Sequence, residues 1–240
     1  MKVSVVLPVS RASPLAGHLK NVSEDCLNPV AQQGTEIAVE FLDKGFEKIY
    51  SLYNYTLQVP EILKKVKEAE DKRFDAVIIA NTADPGLEAA KEIVKIPVVG
   101  MGQAAMSVAS MIGRKFSIVT VQKYLIPIFE QLAQFYGVKD RLTSVRTIEV
   151  LPTDFLKDRN KAKKAMLTVS TKILEQDDAD TLIVGFSGGA GLAESLQETL
   201  RVPVVDPAVA SLKYAELLVG MRLTQSKRAY PKPSKIRWIN

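Results

Sequence analysis

Ala76-Val77-Ile78-Ile79-Ala80 is followed by Asn81-Thr82-Ala83-Asp84-Pro85, by Gly86-Leu87, by a segment of helical spacing, and by Pro97-Val98-Val99-Gly100. The same succession returns about a hundred residues later as Leu182-Ile183-Val184-Gly185, Phe186-Ser187-Gly188-Gly189-Ala190, Gly191-Leu192, a helical segment and Pro203-Val204-Val205-Asp206. Upstream of each, by about seventy residues, lies a second matching pair, Lys2-Val3-Ser4-Val5-Val6 and Lys115-Phe116-Ser117-Ile118-Val119. Order and spacing hold within a residue. Each half of about 115 residues therefore reads as one βα sheet unit, and the chain as two copies related by a pseudo-twofold axis.

The runs Val3 to Val9, Ala76 to Ala80, Val98 to Val99, Phe116 to Val121, Thr181 to Val184 and Val202 to Val205 are rich in β-branched residues and apolar on both faces. Such runs are expected of parallel strands covered by helices on both sides. Between them, Glu61 to Lys72, Leu87 to Lys95, Leu125 to Tyr136, Lys161 to Gln176 and Leu192 to Leu200 have helical spacing. The fold class is α/β, with two similar parallel-sheet βα halves. The expected boundaries place 1–112 and a returning segment 206–240 in the first half and 113–205 in the second.

Composition narrows the classes of function. The 240 residues are 47% hydrophobic and 25% charged, ordinary for a globular chain and unlike a disordered one. No run approaches the roughly 18 apolar residues of a membrane-spanning helix, so no membrane association is expected. The apolar amino terminus is interrupted by Pro8 and reads as the first strand rather than a secretory signal. With one Cys and one His, an internal disulfide and the usual Cys/His zinc frameworks are excluded, and no metal site is expected. A cytoplasmic setting is the corresponding expectation. Net charge is +5, but the basic residues are scattered except for Lys227, Arg228, Lys232, Lys235 and Arg237. Nothing forms a nucleic-acid footprint, and no nucleic-acid partner is expected.

In open parallel sheets ligands bind beyond the carboxyl ends of the strands, where loops lead into helix N-termini. The two mirrored loops, Asn81 to Pro85 and Phe186 to Ala190, are therefore expected to face one cleft between the halves. Asp84 before Pro85 has the form of a helix N-cap followed by Pro at the first helical position. Asn81 and Thr82 are short polar groups placed to hold an anion or a carbonyl oxygen. In the second loop Ser187-Gly188-Gly189 allows close backbone approach, and its N–H groups favour a carboxylate. A Gly-Gly pair after a strand is also simply a turn. Neither loop is a phosphate-binding or dinucleotide motif.

Ala80 to Gly102 (ANTADPGLEAAKEIVKIPVVGMG), Gly113 to Thr120 (GRKFSIVT), Ser144 to Val150 (SVRTIEV), Leu182 to Leu196 (LIVGFSGGAGLAESL) and Val202 to Glu216 (VPVVDPAVASLKYAE) together resemble the hydantoin racemase branch of the Asp/Glu racemase superfamily. The closing Ser226 to Tyr230 resembles that branch's tail. The resemblance implies a cofactor-free isomerase with two similar halves, a small carboxylate or cyclic amide held between them, and a homo-oligomer. It also implies two cysteines acting as an acid and base pair on opposite faces of the substrate. Those thiols would fall at Asn81 and Phe186. Asn is no base at neutral pH and Phe neither gives nor takes a proton, so the usual two-cysteine proton transfer is not expected here.

Other positions follow the same comparison. Relatives carry Asn-Pro-Asn near the first strand, whereas Leu7-Pro8-Val9-Ser10 keeps the proline and Ser10 alone. Thr120 ends the strand that mirrors the first, so its hydroxyl is expected to face the cleft, and Tyr124 supplies a phenol four residues on. Decarboxylases of the superfamily use a Thr and a Tyr resembling Thr82 and Tyr124, with a Cys that Phe186 replaces. Tyr53 and Tyr55 fall where relatives have a substrate-facing loop, though packing is the commoner use of such residues. Cys26 reads as a small hydrophobe and His18 as a surface or satisfied group. The expected oxyanion or carboxylate cradle is Thr82 and Ala83 with Ser187, Gly188 and Gly189, Asn81 orienting a carbonyl. Asp84, or Tyr124 with a lowered pKa, are the bases the sequence offers. Three functions stand: a racemase-like enzyme using a non-thiol route, a non-catalytic binding or sensing protein, and a decarboxylating or redox activity for which no cofactor motif exists.

Overall fold

The computed structural model describes residues 1–46, 51–148, 159–236 and 238. Arg237 of the basic tail and the last two residues of the Ser144 to Val150 motif lie outside them. Contacts divide the chain into two compact units, Met1–Met101 with Ser211–Asn240, and Gly102–Ala210. The sequence reading places the boundaries at 112/113 and 205/206. The difference arises because two helices, α5 (Met101–Ile112) and α9 (Pro207–Gly220), carry the chain from one unit to the other.

The first unit is a four-stranded parallel sheet in the order β2-β1-β3-β4, from β1 (Lys2–Ser10), β2 (Glu36–Leu42), β3 (Ala76–Ile79) and β4 (Val98–Gly100). Helices α1 (Ala16–Leu27), α2 (Leu52–Leu57), α3 (Val59–Asp71) and α4 (Leu87–Ile93) connect the strands. The second unit repeats the order as β6-β5-β7-β8, from β5 (Phe116–Thr120), β6 (Leu142–Thr147), β7 (Thr181–Val184) and β8 (Val204–Val205). Its helices are α6 (Leu125–Phe135), α7 (Arg159–Gln176) and α8 (Ala193–Leu200).

The repeat extends to individual hydrogen bonds. Val3 pairs with Ala76 as Phe116 pairs with Thr181. The Asp75 N–H donates to the Lys2 carbonyl at 2.8 Å, and Asp180 to Lys115 at 3.0 Å. At the other end of the strands, Ala80 donates to Val6 at 2.9 Å and Gly185 to Val119 at 2.7 Å. Val77 and Leu182 donate to the carbonyls of Pro97 and Pro203. Each proline stands just before a short strand, where its missing N–H costs no ladder bond. The register thus equates Ala80 with Gly185, Asn81 with Phe186, and Gly86 with Gly191. Both glycines have φ in the left-handed region, +70° and +78°, which a side chain at either position would strain.

The central strands β1, β3, β5 and β7 are buried along almost their whole length, as their apolar runs require. The edge strands β2 and β6 are mostly half-exposed. A strand paired on one side needs fewer apolar residues, and Glu36-Ile37-Ala38-Val39-Glu40 and Leu142-Thr143-Ser144-Val145-Arg146 carry polar positions accordingly. The carboxyl-terminal tail is bound to α4 and β4. Lys227 donates to the carbonyls of Lys91, Glu92 and Val94 at 2.6, 3.0 and 2.6 Å. The Gln225 amide joins Val94, Ile96 and the Val98 N–H. A cation on the last carbonyls of a helix satisfies acceptors that have no partner within it.

Candidate functional site

The carboxyl end of each unit's central strands gathers the candidate residues. In the first unit these are Ser10, Asn81, Thr82 and Ala83, at the ends of β1 and β3. In the second they are Thr120, Tyr124, Phe186, Ser187, Gly188 and Gly189, at the ends of β5 and β7.

The first loop is closed by its own side chains. The Ala83 N–H donates to Asn81 Oδ1 at 2.9 Å, and the Asp84 N–H to the Asn81 carbonyl at 3.0 Å. The Tyr55 hydroxyl, from α2, donates to the Ala83 carbonyl. Ala83 is 1% and Thr82 4% exposed. Next to Tyr55, the α2–α3 corner brings Val59 so close to Gly86 that an added Cβ would lie 2.8 Å from Val59 Cγ1. Asp84 does not cap α4 as the sequence pattern suggested. The helix begins at Leu87 with Gly86 as its N-cap, and Asp84 itself has φ of +49°. Its carboxyl group lies instead against Gly100, where an added Cβ would meet Cγ at 2.5 Å.

The second loop is a 3₁₀ turn over Ser187–Gly189, closed by Gly189 N–H to the Phe186 carbonyl at 3.1 Å and Ala190 N–H to Ser187 at 3.2 Å. Among the described residues the Ser187 and Gly188 N–H groups and the Ser187 hydroxyl make no hydrogen bond, and both residues are half-exposed. They are open donors at a strand end, suited to an anionic or carbonyl oxygen. Phe186 is 9% exposed and belongs to the unit's buried apolar cluster with Val119, Met166, Val184, Leu192 and Leu196. Its ring fills the core of its own unit. Gly189 is required beneath it, since an added Cβ would lie 2.5 Å from Val184 Cγ1 and 2.8 Å from Phe186 Cζ.

Several expectations change. The Thr120 hydroxyl, fully buried, donates to the Gly185 carbonyl at 3.0 Å, so it ties β5 to the start of the second loop rather than standing ready for a ligand. Tyr124 precedes α6, and burial pushes its phenol up to about 12. The lowered pKa that a phenolate base needs is therefore replaced by the opposite shift. Ser10 accepts the Ala12 N–H at 3.2 Å in a local turn. Tyr53 is exposed, as is His18 on α1, and Cys26 is half-buried on the same helix. Asp206, at the position of Gly100, accepts from the Gly191 N–H at 2.7 Å and from Ala208 at 2.9 Å. Sequence reasoning did not give it that role. The signal available was an Asp immediately before Pro207. Among the described residues no group of three potential metal ligands occurs, and no helix is long and apolar enough to cross a membrane.

Known proteins share this chain's sequence pattern and fold. Residues 19–215 match the sequence profile of the Asp/Glu/hydantoin racemases. A hydantoin racemase of Pseudomonas sp. (strain NS671) is 31% identical over 240 residues, spanning 100% of this chain and 94% of the relative. The crystal structure of allantoin racemase from Pseudomonas fluorescens has a TM-score of 0.92 at 30% identity and covers 100% of both chains. Allantoin racemase from Klebsiella pneumoniae gives 0.92 at 28%, covering 100% of this chain and 96% of that one. With two parallel sheets of one strand order and a match that runs through both, the chain belongs to the Asp/Glu/hydantoin racemase family.

Proposed function

We propose that this protein takes a small carboxylate or cyclic amide, such as a hydantoin or an amino-acid derivative, and does not act on it by two-cysteine proton transfer. The observation that carries this reading is the pair of open N–H groups at Ser187 and Gly188 in the loop that follows β7. Full-length similarity to hydantoin racemases supports the substrate class. Asn81 and Phe186 stand where the resemblance puts the thiols, one engaged in a turn and the other in the core. Thr82, Ala83, Ser187, Gly188 and Gly189 are the proposed contacts, with Asn81 orienting a ligand oxygen.

The second reading is a non-catalytic binding or sensing protein on the same fold. It is favoured by the raised phenol of Tyr124, which removes a proposed base. Exposed Phe135 on α6 and Leu217 and Met221 near the end of α9 support self-association into a homo-oligomer, and a single cysteine suits a cytoplasmic setting.

Ligand-observed NMR with 5-substituted hydantoins, aspartate, glutamate and malonate tests the reading. Binding of at least one class, weakened in Ser187→Ala and Thr82→Val, is expected. No binding of any of them by the unmodified protein would overturn it. Loss of the α-proton signal in D2O during binding separates turnover from capture.

A further inference from the structure

We infer that Asn81 is a fixed hydrogen-bond donor which selects a ligand oxygen. Its carbonyl end is locked into the first loop, so only its Nδ2–H group is presented outward, to a carbonyl or carboxylate and not to an amide N–H. The inference rests on the reading above and deepens it by naming the ligand atom that faces this loop.

The orientation of the carboxamide is settled by its partner. The Ala83 N–H at 2.9 Å can be met only by an acceptor, so the end that points into the loop is Oδ1. The main chain on either side of that bond is held as well: the Asn81 main-chain N–H donates to the Ile79 carbonyl at 2.9 Å, the Asn81 main-chain carbonyl accepts from the Asp84 N–H at 3.0 Å, and the Tyr55 hydroxyl donates to the Ala83 carbonyl. Rotation of the amide would strand a buried N–H, which costs more than a typical hydrogen bond returns.

Nδ2 is in the opposite condition. It makes no hydrogen bond with any described residue, yet it is not one of the buried polar atoms left unpaired, and Asn81 is half-exposed. Its donors therefore reach solvent from a position that cannot turn away. An amide NH2 group only donates, so its partner must be an acceptor, and in a neutral hydantoin or a carboxylate the acceptors are oxygens. An N–H placed against it would set donor against donor. The same chemistry explains how a residue at this position contributes without exchanging a proton: it holds the oxygen and leaves its charge unchanged.

Two variants separate the donor from the turn. Asn81→Asp keeps an oxygen for the Ala83 N–H, and Asn81→Ser keeps a hydroxyl suited to the same short turn; both remove the NH2. Affinities of wild type and both variants for 5-methylhydantoin and for malonate are measured by titration calorimetry, with amide hydrogen exchange at Ala83 reporting the turn. A variant that keeps Ala83 protected decides the question. The serine variant is expected to bind about ten-fold more weakly. Asn81→Asp should lose more for malonate, where two carboxylates would meet, than for the neutral hydantoin. Affinities within about two-fold of wild type in both variants would overturn the inference and leave the functional reading standing. Failure of the wild type to bind either probe would overturn both.

Discussion

Replacing Phe186 by cysteine, which restores a thiol where the family resemblance puts one, should damage the second unit before it adds any chemistry. The ring is 9% exposed, packs in the cluster of Val119, Met166, Val184, Leu192 and Leu196, and rests on Gly189. Removing a buried Phe side chain down to its Cβ costs about 3–5 kcal/mol, including the cavity left behind. The sulfur returns about 1 kcal/mol, the value of roughly one buried methylene. The expected loss is therefore about 2–4 kcal/mol, which for a chain of this size lowers the melting temperature by about 5–15 °C. Circular dichroism melts, with urea midpoints to separate stability from compactness, measure it. A loss below about 1 kcal/mol would mean that the ring is not a core residue and does not anchor the second loop. The result also governs any attempt to rebuild a thiol pair with Asn81→Cys and Phe186→Cys, because absent racemisation must be judged against the folded fraction.

Thr120→Val should cost about 1–2 kcal/mol in urea unfolding, since it removes the buried hydroxyl bonded to Gly185 with little change of shape; an unchanged midpoint would count against that bond. Acid sensitivity follows from Asp177 and Asp180. Burial raises both carboxyls, but the Ser144 hydroxyl and Arg146 for the first, and the Arg114 N–H, Thr181 hydroxyl and Lys115 N–H for the second, outweigh it and hold them below the ordinary 3.8. The stability they confer is present above 3.8 and is lost as pH falls through their folded values, so urea midpoints should drop on acidification below about pH 4, and less steeply in Asp180→Asn. Ultraviolet titration of wild type against Tyr124→Phe should reveal no tyrosinate from Tyr124 before about pH 11; ionisation near neutrality would restore this phenol as a candidate base.

The duplicated sheet was legible because its signal is dense. Val3 to Val6, Ala76 to Ile79, Phe116 to Val119 and Thr181 to Val184 are buried on both faces, and such strands tolerate almost nothing but apolar residues. The edge strands β2 and β6 escaped because half-exposed strands accept polar residues and lose the continuous run. Helix α5 escaped for the opposite reason, as Met101-Gly102-Gln103-Ala104-Ala105 follows β4 without a loop or a cap to announce it. Positions of the site residues were readable from the register, whereas their commitments were not. Spacing places Thr120 and Asn81 at strand ends. Which hydrogen bonds those side chains have already made was not legible: Thr120 bonds the carbonyl of Gly185, remote in sequence, and Asn81 closes a turn on the Ala83 N–H two residues on. The direction of the Tyr124 shift likewise comes from burial, which no local pattern encodes.

In the proposed function the ligand is handled without thiol chemistry, and Cys26 is the one sulfhydryl in the chain. The most direct measurement follows binding and α-proton loss of 5-substituted hydantoins in D2O with the unmodified protein and with Cys26→Ser. Binding that persists in the variant, with an α-proton exchange rate equal to that of the unmodified protein, is the predicted result. Exchange catalysed by the unmodified protein and abolished in Cys26→Ser would contradict it.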